Sequence, residues 1–343
     1  MPLRQRLAAS WAKRGALTWL LLPLSLLFRS AIALRRGLFL GGLLRAERLP
    51  VPVIVVGNLV VGGAGKTPAV IAVVDLLRRQ GWTPGIVSRG YGSASDAVRA
   101  VTRDSPARAC GDEPLLLHLR TGAPVQVGRD RVAAGRELLH RRPEVDILVA
   151  DDGLQHLRLA RDAQLIVFDE RGAGNGLLLP AGPLREPVTR EAPPRSVVVY
   201  NAPAASTAWP GGLARRGLGG AASLAAWWRS EAASPATLAD LAGRPLLAVA
   251  GVARPGRFFA MLHEHGLQID EFALPDHFPF DALPWPAGTP DVILTEKDAV
   301  KLPPATPLGA TRVWVATLDF RLDPASEAAL CRLLPAPPGP RQD

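Results

Sequence analysis

A glycine-rich segment after a short apolar run holds the residues best suited to phosphate chemistry. The run is Val53–Val56, and a helix-compatible pattern follows the segment over 68–79. In such a loop backbone amides can surround phosphate oxygens, a lysine can reach the β- and γ-phosphates, and a threonine hydroxyl can bind Mg²⁺. The sequence therefore predicts a P-loop whose nucleotide-binding residues are Gly62, Gly63, Ala64, Gly65, Lys66 and Thr67.

One residue of this segment departs from the usual pattern. Val60 stands where the full P-loop pattern has a glycine, although Gly62 and Gly63 supply backbone freedom nearby. The alternative interpretation is a glycine-rich turn that carries Lys66 and Thr67 by chance. The placement between a strand and a helix favours the phosphate-binding loop.

A pair of aspartates supplies candidate metal ligands. Asp151 and Asp152 follow the buried run Val145–Ala150, and an acidic residue at a strand end often helps to hold Mg²⁺ in P-loop proteins. Adjacent residues of an extended chain point to opposite sides, so one carboxylate can face the metal and the other a substrate. Asp-Asp-Gly is also a common turn, which is the alternative.

Two further segments offer groups that could accept a proton from a hydroxyl. They are Gly111–Pro114, which contains Asp112 and Glu113, and Pro275–His277. A carboxylate and an imidazole are suited to general-base catalysis. Alternatively, Asp112 and Glu113 are first-turn acids that stabilise a helix, and His277 is a loop histidine without a partner.

Three classes of P-loop protein compete for this pattern. A GTPase would carry an [NT]-K-x-D motif, but in Thr295–Asp298 the lysine is one position out of register. A membrane-associated partition-type ATPase switch would carry a lysine just before Gly62, where Val61 stands. A small-molecule kinase needs a base for its acceptor hydroxyl, and the sequence offers candidates.

The elements that must position these residues alternate in type along the chain. Short β-branched runs separated by helical patterns are typical of a parallel sheet covered on both faces. We predict an α/β fold, with a P-loop NTPase-like α/β/α domain of mostly parallel sheet and a second, smaller α/β/α domain. The predicted segments are an amino-terminal helical segment (1–40), the P-loop domain (41–205), a connector rich in Ala, Gly, Pro and Ser (206–240), the second domain (241–334) and a disordered tail (335–343).

Composition limits the class of protein. The chain has 343 residues, of which 48% are hydrophobic, so general disorder is excluded. Cys110 and Cys331 are its only cysteines, which excludes a disulfide framework and a thiolate zinc site. The net charge of +9 suits nucleic acid, anionic lipid or phosphate-bearing substrates equally well.

The amino-terminal apolar run, residues 16–28, bears on membrane contact. It is interrupted by Pro23, and basic residues lie on both sides of it, among them Arg14 and Arg29. The run is shorter than the about 20 apolar residues that span a bilayer. Leucines with Trp19 between flanking arginines predict an interfacial segment that lies on an anionic membrane surface. The alternative is a helix buried against the domain.

Six motifs in this order resemble one known family. They are Gly57–Asn58 with Gly62–Pro68, Ser88–Gly92, Gly111–Pro114, Asp151–His156, Leu179–Pro187 and Thr295–Lys301. Together the motifs resemble tetraacyldisaccharide 4'-kinase, the lipid A 4'-kinase, as far as about residue 317. The resemblance implies transfer of the γ-phosphate of ATP, with Mg²⁺, to the 4'-hydroxyl of a tetraacylated glucosamine disaccharide 1-phosphate. It also implies peripheral attachment to the cytoplasmic face of the inner membrane, and neither a nucleic acid nor an obligate protein partner.

The resemblance also assigns roles to residues. Lys66 and Thr67 would serve the phosphates and Mg²⁺, and Asp112 would be the general base with His277 as its partner. The remaining assignments are Asp151, Asp152 and Glu186 to the metal, Gln155 to the nucleotide, and Arg89, His156 and Arg185 to the substrate. The active site would lie in a cleft between the two domains. The chain departs from the family pattern at Arg254, where an asparagine is usual, and at Phe278–Phe280, which lacks a second polar residue.

Overall fold

The structure is a computed structural model that describes residues 10–90 and 97–339. The predicted segments 1–40 and 335–343 and the Ser88–Gly92 motif extend into residues that lie outside this range. Among the described residues, the chain divides into two compact units. The first is drawn from Met1–Arg89, Gly128–Arg215 and Arg321–Asp343, and the second from Gly90–Val127 and Arg216–Phe320.

The helices and strands of the described residues alternate along the chain. The helices are α1 (Ala16–Leu40), α2 (Lys66–Arg79), α3 (Ala107–Cys110), α4 (Asp112–Thr121), α5 (Arg131–Arg141), α6 (Leu224–Trp228), α7 (Pro235–Asp240), α8 (Pro255–Glu264), α9 (Glu296–Ala299) and α10 (Pro324–Arg332). The strands are β1 (Val53–Gly57), β2 (Pro84–Ser88), β3 (Arg99–Val101), β4 (Val125–Val127), β5 (Ile147–Asp151), β6 (Ala163–Asp169), β7 (Ser196–Asn201), β8 (Gly212–Leu213), β9 (Arg215–Ser223), β10 (Leu246–Ala250), β11 (Ile269–Ala273), β12 (Asp291–Thr295) and β13 (Arg312–Arg321).

Parallel strands form the centre of the first unit, in the order β2-β5-β1-β6-β7-β8. All residues of β1 and β5 are buried, as expected for strands that are covered on both faces. Val56 is in register with Asp151 on one side and with Leu165 on the other. The carboxyl ends of β1 and β5 therefore meet at one edge of the sheet, where the P-loop and the aspartate pair begin.

The second unit has its own sheet, in the order β11-β10-β12-β13-β9. Strand β10 is parallel to β11 and β12, and β12 is parallel to β13. Phe258, Phe259 and Leu262 of α8 are buried in a core with Leu246 and Ile293. Strands β3 and β4 of this unit pair with each other in antiparallel fashion. The predicted α/β class with mostly parallel sheets is confirmed.

The two units differ from the predicted segments in how the chain is divided between them. Residues 90–127, predicted within the P-loop domain, belong to the second unit, and residues after 320 return to the first. Helix α10 lies with the first unit, where Glu327 pairs with Arg79 at 2.7 Å and Arg195 donates to the carbonyl of Leu333 at 3.1 Å. These contacts are distant in sequence, so local patterns do not indicate them.

The predicted connector, 206–240, is an integral part of the fold. It forms β8, β9, α6 and α7. Trp227 and Trp228 are buried, and their indole N–H groups donate to Oε1 of Glu296 (3.1 Å) and to the carbonyl of Leu302 (2.7 Å). Tertiary contacts of large aromatic side chains therefore order a segment whose composition indicates a loop.

Helix α1 is buried on one side only. Ser25 is buried and donates to the carbonyl of Leu178 at 2.8 Å, and Phe28 and Ile32 pack against the core of the first unit. Leu20 is 75% exposed and Leu24 54% exposed. Among the described residues, α1 is long and apolar enough to cross a membrane, a test that core helices and signal sequences also pass.

Candidate active site

The P-loop connects β1 to α2 in the first unit. Gly62 and Gly65 have φ angles of +99° and +94°, which L side chains rarely adopt. Buried Asn58 donates to the carbonyl of Val60 at 2.6 Å, and Asn201 donates to the carbonyl of Ala64 at 3.0 Å. The amide groups of two asparagines therefore bind carbonyl groups of the loop, and sequence reasoning assigned a role to neither.

The surroundings of Val60 show why the loop can have a valine where the usual P-loop pattern has a glycine. The residue is buried, and it forms a β-bridge with Leu184. Its φ angle is not among the positive ones. A glycine is therefore not required at this position, because the positive φ angles fall on Gly62 and Gly65 instead.

Lys66 begins α2 and faces a carboxylate. Its Nζ atom lies 3.4 Å from Oδ1 of Asn58 and 3.8 Å from Oδ2 of Asp152. Arg185 donates from Nη1 to both carboxylate oxygens of Asp152, each at 2.9 Å. Burial raises the pKa of Asp152, but Lys66 and Arg185 outweigh it, so the pKa is lowered overall. The carboxylate of Asp152 is therefore ionised and lies between two cations. The backbone of Asp152 has a φ angle of +48°.

Asp151 has different surroundings from its neighbour. It is the last residue of β5, is almost completely buried, and accepts a hydrogen bond from Oγ of Ser88 at 2.9 Å. Thr67 is half-buried at the second position of α2. The two aspartates therefore face different partners, although Asp152, with its positive φ angle, no longer continues the extended strand.

Gln155 and His156 follow the aspartates in the same unit. Gln155 donates to the carbonyl of Asn58 at 3.4 Å, and its Oε1 lies 3.5 Å from Nη1 of Arg185. Burial lowers the pKa of His156 to about 4, with a further contribution from the positive charge of Arg131. His156 is therefore neutral at pH 7, and its Nε2 atom has no hydrogen-bond partner among the described residues.

Arg131 is a site residue that sequence reasoning missed. Its side chain is buried at the start of α5, and Nη2 donates to the carbonyl of Asp152 at 3.2 Å. Burial lowers the pKa of this guanidinium, while Asp151 and Asp152 oppose the shift. In the sequence Arg131 is one of many arginines, and only its buried position near the aspartates distinguishes it.

Two further predicted residues of the first unit, Glu186 and Arg89, have surroundings of their own. Glu186 is buried and forms an ion pair with Arg36 of α1. Arg89 follows the last residue of β2 and is exposed. The structure brings Lys66, Asp152 and Arg185 into direct contact, and it gives Glu186 a different partner.

Asp112 and His277 meet within the second unit. Asp112 is the first residue of α4, after Gly111 with a φ angle of +95°. Nδ1 of His277 lies 3.0 Å from Oδ2 of Asp112. His277 has a φ angle of +61°, and its backbone N–H donates to the carbonyl of Gly251 at 3.2 Å. A carboxylate and an imidazole in this arrangement can accept and share a proton.

Comparison with known proteins decides the family. A family model described as Tetraacyldisaccharide-1-P 4'-kinase matches residues 17–335. The chain belongs to this family. Two of its relatives carry the name tetraacyldisaccharide 4'-kinase. The protein from Methylibium petroleiphilum is 57% identical over 346 residues, covering 100% of this chain and 96% of the relative. The protein from Leptothrix cholodnii is 55% identical over 337 residues, covering 97% of each chain.

A solved structure of a family member agrees with the fold. The crystal structure of the "apo" form of LpxK from Aquifex aeolicus in complex with ATP matches with a TM-score of 0.76 and 27% identity. The match covers 93% of this chain and all of the other. The predicted resemblance to the tetraacyldisaccharide 4'-kinase family is confirmed, and a partition-type switch is not favoured. The prediction of an ATP-dependent phosphotransferase is confirmed with it.

Two of the four predicted metal ligands have surroundings that suit Mg²⁺. Mg²⁺ prefers oxygen ligands and is often held by one or two carboxylates together with substrate phosphates. The hydroxyl of Thr67 and the carboxylate of Asp151 supply such oxygens, whereas Asp152 and Glu186 are paired with guanidinium groups. The described residues contain no cluster of three or more His, Cys, Asp or Glu side chains suited to a metal. Thr67 and Asp151 are therefore the better candidates.

Proposed function

We propose that this member of the tetraacyldisaccharide 4'-kinase family transfers the γ-phosphoryl group of ATP to the 4'-hydroxyl of a tetraacylated glucosamine disaccharide 1-phosphate in lipid A biosynthesis. The observation that carries the proposal is that the chain combines a P-loop lysine, Lys66, with a hydrogen-bonded Asp112–His277 pair. The first supplies a phosphate site and the second a base for a hydroxyl.

The nucleotide side of the reaction rests on the first unit. The backbone amides of Gly62–Thr67 and the ammonium of Lys66 would bind the ATP phosphates, as a P-loop does in general. Thr67 and Asp151 would hold Mg²⁺, which neutralises charge on the transferred phosphoryl group when it is bound. A relative that was crystallised with ATP supports this assignment.

The acceptor side rests on Asp112. The sugar hydroxyl oxygen forms a bond to the γ-phosphorus, the bond from that phosphorus to the β–γ bridging oxygen breaks, and ADP leaves with the electron pair. The hydroxyl proton passes to the carboxylate of Asp112. His277 orients that carboxylate through the contact at 3.0 Å, which keeps the accepting oxygen in place.

Cationic and neutral polar groups would bind the anionic substrate. Arg89 and Arg185 carry positive charge, and the neutral ring of His156 can donate or accept a hydrogen bond. Arg185 also holds the anion of Asp152 at 2.9 Å, so it would position the nucleotide side as well.

Helix α1 would attach the protein peripherally to the cytoplasmic leaflet of the inner membrane. Its outward face carries Leu20, Leu24 and Leu27, each more than half exposed. Its opposite face packs on the first unit through Ser25 and Phe28. A helix with one face committed to the protein and an apolar face outward fits the membrane surface better than a full crossing.

Transfer of labelled phosphate tests the proposed function. The protein is incubated with [γ-³²P]ATP and the lipid disaccharide 1-phosphate in detergent micelles, and with ATP alone. We expect label in the lipid fraction only when the disaccharide is present. Release of inorganic phosphate at the same rate with and without the lipid, and no labelled lipid, would instead indicate an ATPase.

A further inference from the structure

The Thr295–Asp298 motif has no part in the proposed reaction, yet its residues engage several separate elements of the second unit. It begins a four-residue helix, α9, that Thr295 caps by accepting a hydrogen bond from the backbone N–H of Asp298 at 3.2 Å. The three residues Glu296, Lys297 and Asp298 each contact a different part of the structure around the Asp112–His277 pair.

Lys297 joins the two segments that carry this pair. Its Nζ atom lies 3.0 Å from Oε1 of Glu113 and 3.8 Å from Oδ1 of Asp276. Glu113 is the neighbour of Asp112 in α4, and Asp276 is the neighbour of His277. One ammonium therefore links the start of α4 to the turn that bears the imidazole.

Electrostatics favour a permanent charge on Lys297. Burial lowers the pKa of its ammonium, but Glu113, Asp276 and Asp112 outweigh burial and raise the pKa overall. Without this cation, the negative charges of Glu113, Asp276 and Asp112 around the site of its ammonium would lose their compensation, and uncompensated like charges repel one another. The segments of Asp112 and His277 would then separate, or one carboxylate would bind a proton.

Glu296 and Asp298 fix the helix from which Lys297 extends. Glu296 pairs with Arg120 near the far end of α4 and accepts from the backbone N–H of Leu318 at 3.0 Å. Asp298 is completely buried and accepts from Lys301 at 2.8 Å and from the N–H of Gly251 at 2.9 Å.

Gly251 connects buried Asp298 to the backbone of His277. The carbonyl of Gly251 accepts the hydrogen bond from the N–H of His277. A Cβ atom at Gly251 would lie 2.8 Å from Oδ1 of Asp298, so the close approach requires glycine. The positive φ angle of His277 therefore lies in a turn that the motif supports.

We infer that Lys297 is a positioning residue that holds Asp112 and His277 in register by bridging Glu113 and Asp276. It acts through its neighbours and touches none of the reacting atoms. This inference rests on the proposed function only in assigning the pair to the acceptor hydroxyl. The geometry of the pair can be measured without any substrate.

The test compares Lys297→Met with Lys297→Arg. We expect Lys297→Met to lower kcat by about 10- to 100-fold, the cost of misplacing a catalytic group, with KM for ATP within about twofold of wild type since the P-loop is untouched. Lys297→Arg keeps the charge and should recover most of the activity. The control is Arg229→Met, which removes the exposed Arg229–Glu231 pair of the same unit and should leave kcat unchanged.

Nitrogen-15 NMR of the histidine rings supplies a readout that is independent of activity. The His277 signal, identified by its loss in His277→Ala, should shift in Lys297→Met and return in Lys297→Arg. If Lys297→Met does not fold, Glu113→Gln removes the other end of the bridge and should lower kcat and shift the same signal. A wild-type kcat together with an unmoved His277 signal would overturn the inference. A wild-type protein that labels no lipid would refute the proposed function, whereas the NMR result would still decide the role of Lys297.

Discussion

The Nδ1 atom of His277 lies 3.0 Å from Oδ2 of Asp112, although the two residues are 165 positions apart in the sequence. Both belong to the second unit, so tertiary contacts within that unit bring the two residues together. The carboxylate begins a helix, and the imidazole lies in a turn with a positive φ angle. A strained backbone conformation of this kind persists where the surrounding structure holds it.

Loss of either member of this pair should lower turnover. We expect Asp112→Asn and His277→Ala each to reduce kcat by about 10²- to 10⁴-fold, the usual contribution of a general base, with ATP affinity retained. The double variant should be less impaired than the product of the two single losses, because the residues act as one unit. Steady-state kinetics with nucleotide titration measures both quantities.

The control for the Asp112 and His277 variants is His263→Ala, since His263 of α8 is exposed and pairs with Glu271 at the surface. It should leave kcat at the wild-type value. Strict additivity of the two losses would contradict a shared role. If Asp112→Asn lowered only the affinity for ATP, Asp112 would instead be a metal ligand or a structural residue.

Lys66 and Thr67 should be indispensable for transfer. Lys66→Ala removes the cation that reaches the phosphates, and Thr67→Ala removes a magnesium ligand, so both should lose nearly all activity while the protein still folds. Lys66→Arg, which keeps the charge but changes its shape, should recover only a small part. Circular dichroism checks the fold, and near wild-type transfer by either alanine variant would refute the P-loop assignment.

Much of the first site could be predicted from local sequence, because its residues follow one another along the chain. The β-branched run Val53–Val56 and the glycines before Lys66 indicate strand, loop and helix in order. Arg131 and Asn201 could not be found in this way, and neither could the contacts of Lys297, although its motif stands out in the sequence. Each is defined by a contact with a residue far away in the sequence, such as the 137 positions between Asn201 and Ala64.

The predicted connector, 206–240, contains more regular structure than its composition indicates. Alanine, glycine and serine between 206 and 240 indicate a loop, but residues up to Arg215 belong to the first unit and the rest to the second. In the second unit, Trp227 and Trp228 are held by hydrogen bonds to Glu296 and Leu302. The alternation of strand and helix gives the class of fold. It does not show that residues 90–127 belong to the second unit and the final helix to the first.

His156 should make folding stability depend on pH. Its pKa of about 4 in the folded protein lies below the value of about 6.5 for an unfolded chain, so the unfolded state binds more protons between these values. The contribution to the free energy of unfolding is fully present above about pH 6.5 and is lost as the pH falls towards 4. Urea unfolding at several pH values measures it.

The matched comparison is His156→Gln with His140→Gln, which changes an exposed histidine of α5. We expect His156→Gln to lose less stability on acidification than wild type, and His140→Gln to behave as wild type does. An identical pH dependence in wild type and His156→Gln would contradict the buried, neutral imidazole.

Binding to anionic vesicles should depend on the outward face of α1. Leu20→Asp with Leu24→Asp places two charges on that face and should release the protein in a liposome flotation assay, since interfacial binding requires apolar burial. Leu213→Asp, at an exposed leucine of β8, is the control and should still float. Unchanged flotation of the double variant would mean that α1 only packs against the first unit.

The position of the added phosphoryl group decides whether the protein is a 4'-kinase. The wild-type protein is given Mg²⁺, ATP and the tetraacylated disaccharide 1-phosphate, or the same lipid with a 4'-deoxy sugar, and the products are fragmented by tandem mass spectrometry. We expect one added phosphoryl group on the distal glucosamine of the first lipid and none on the deoxy analogue. Phosphorylation of the deoxy analogue, or of any other position, would contradict it.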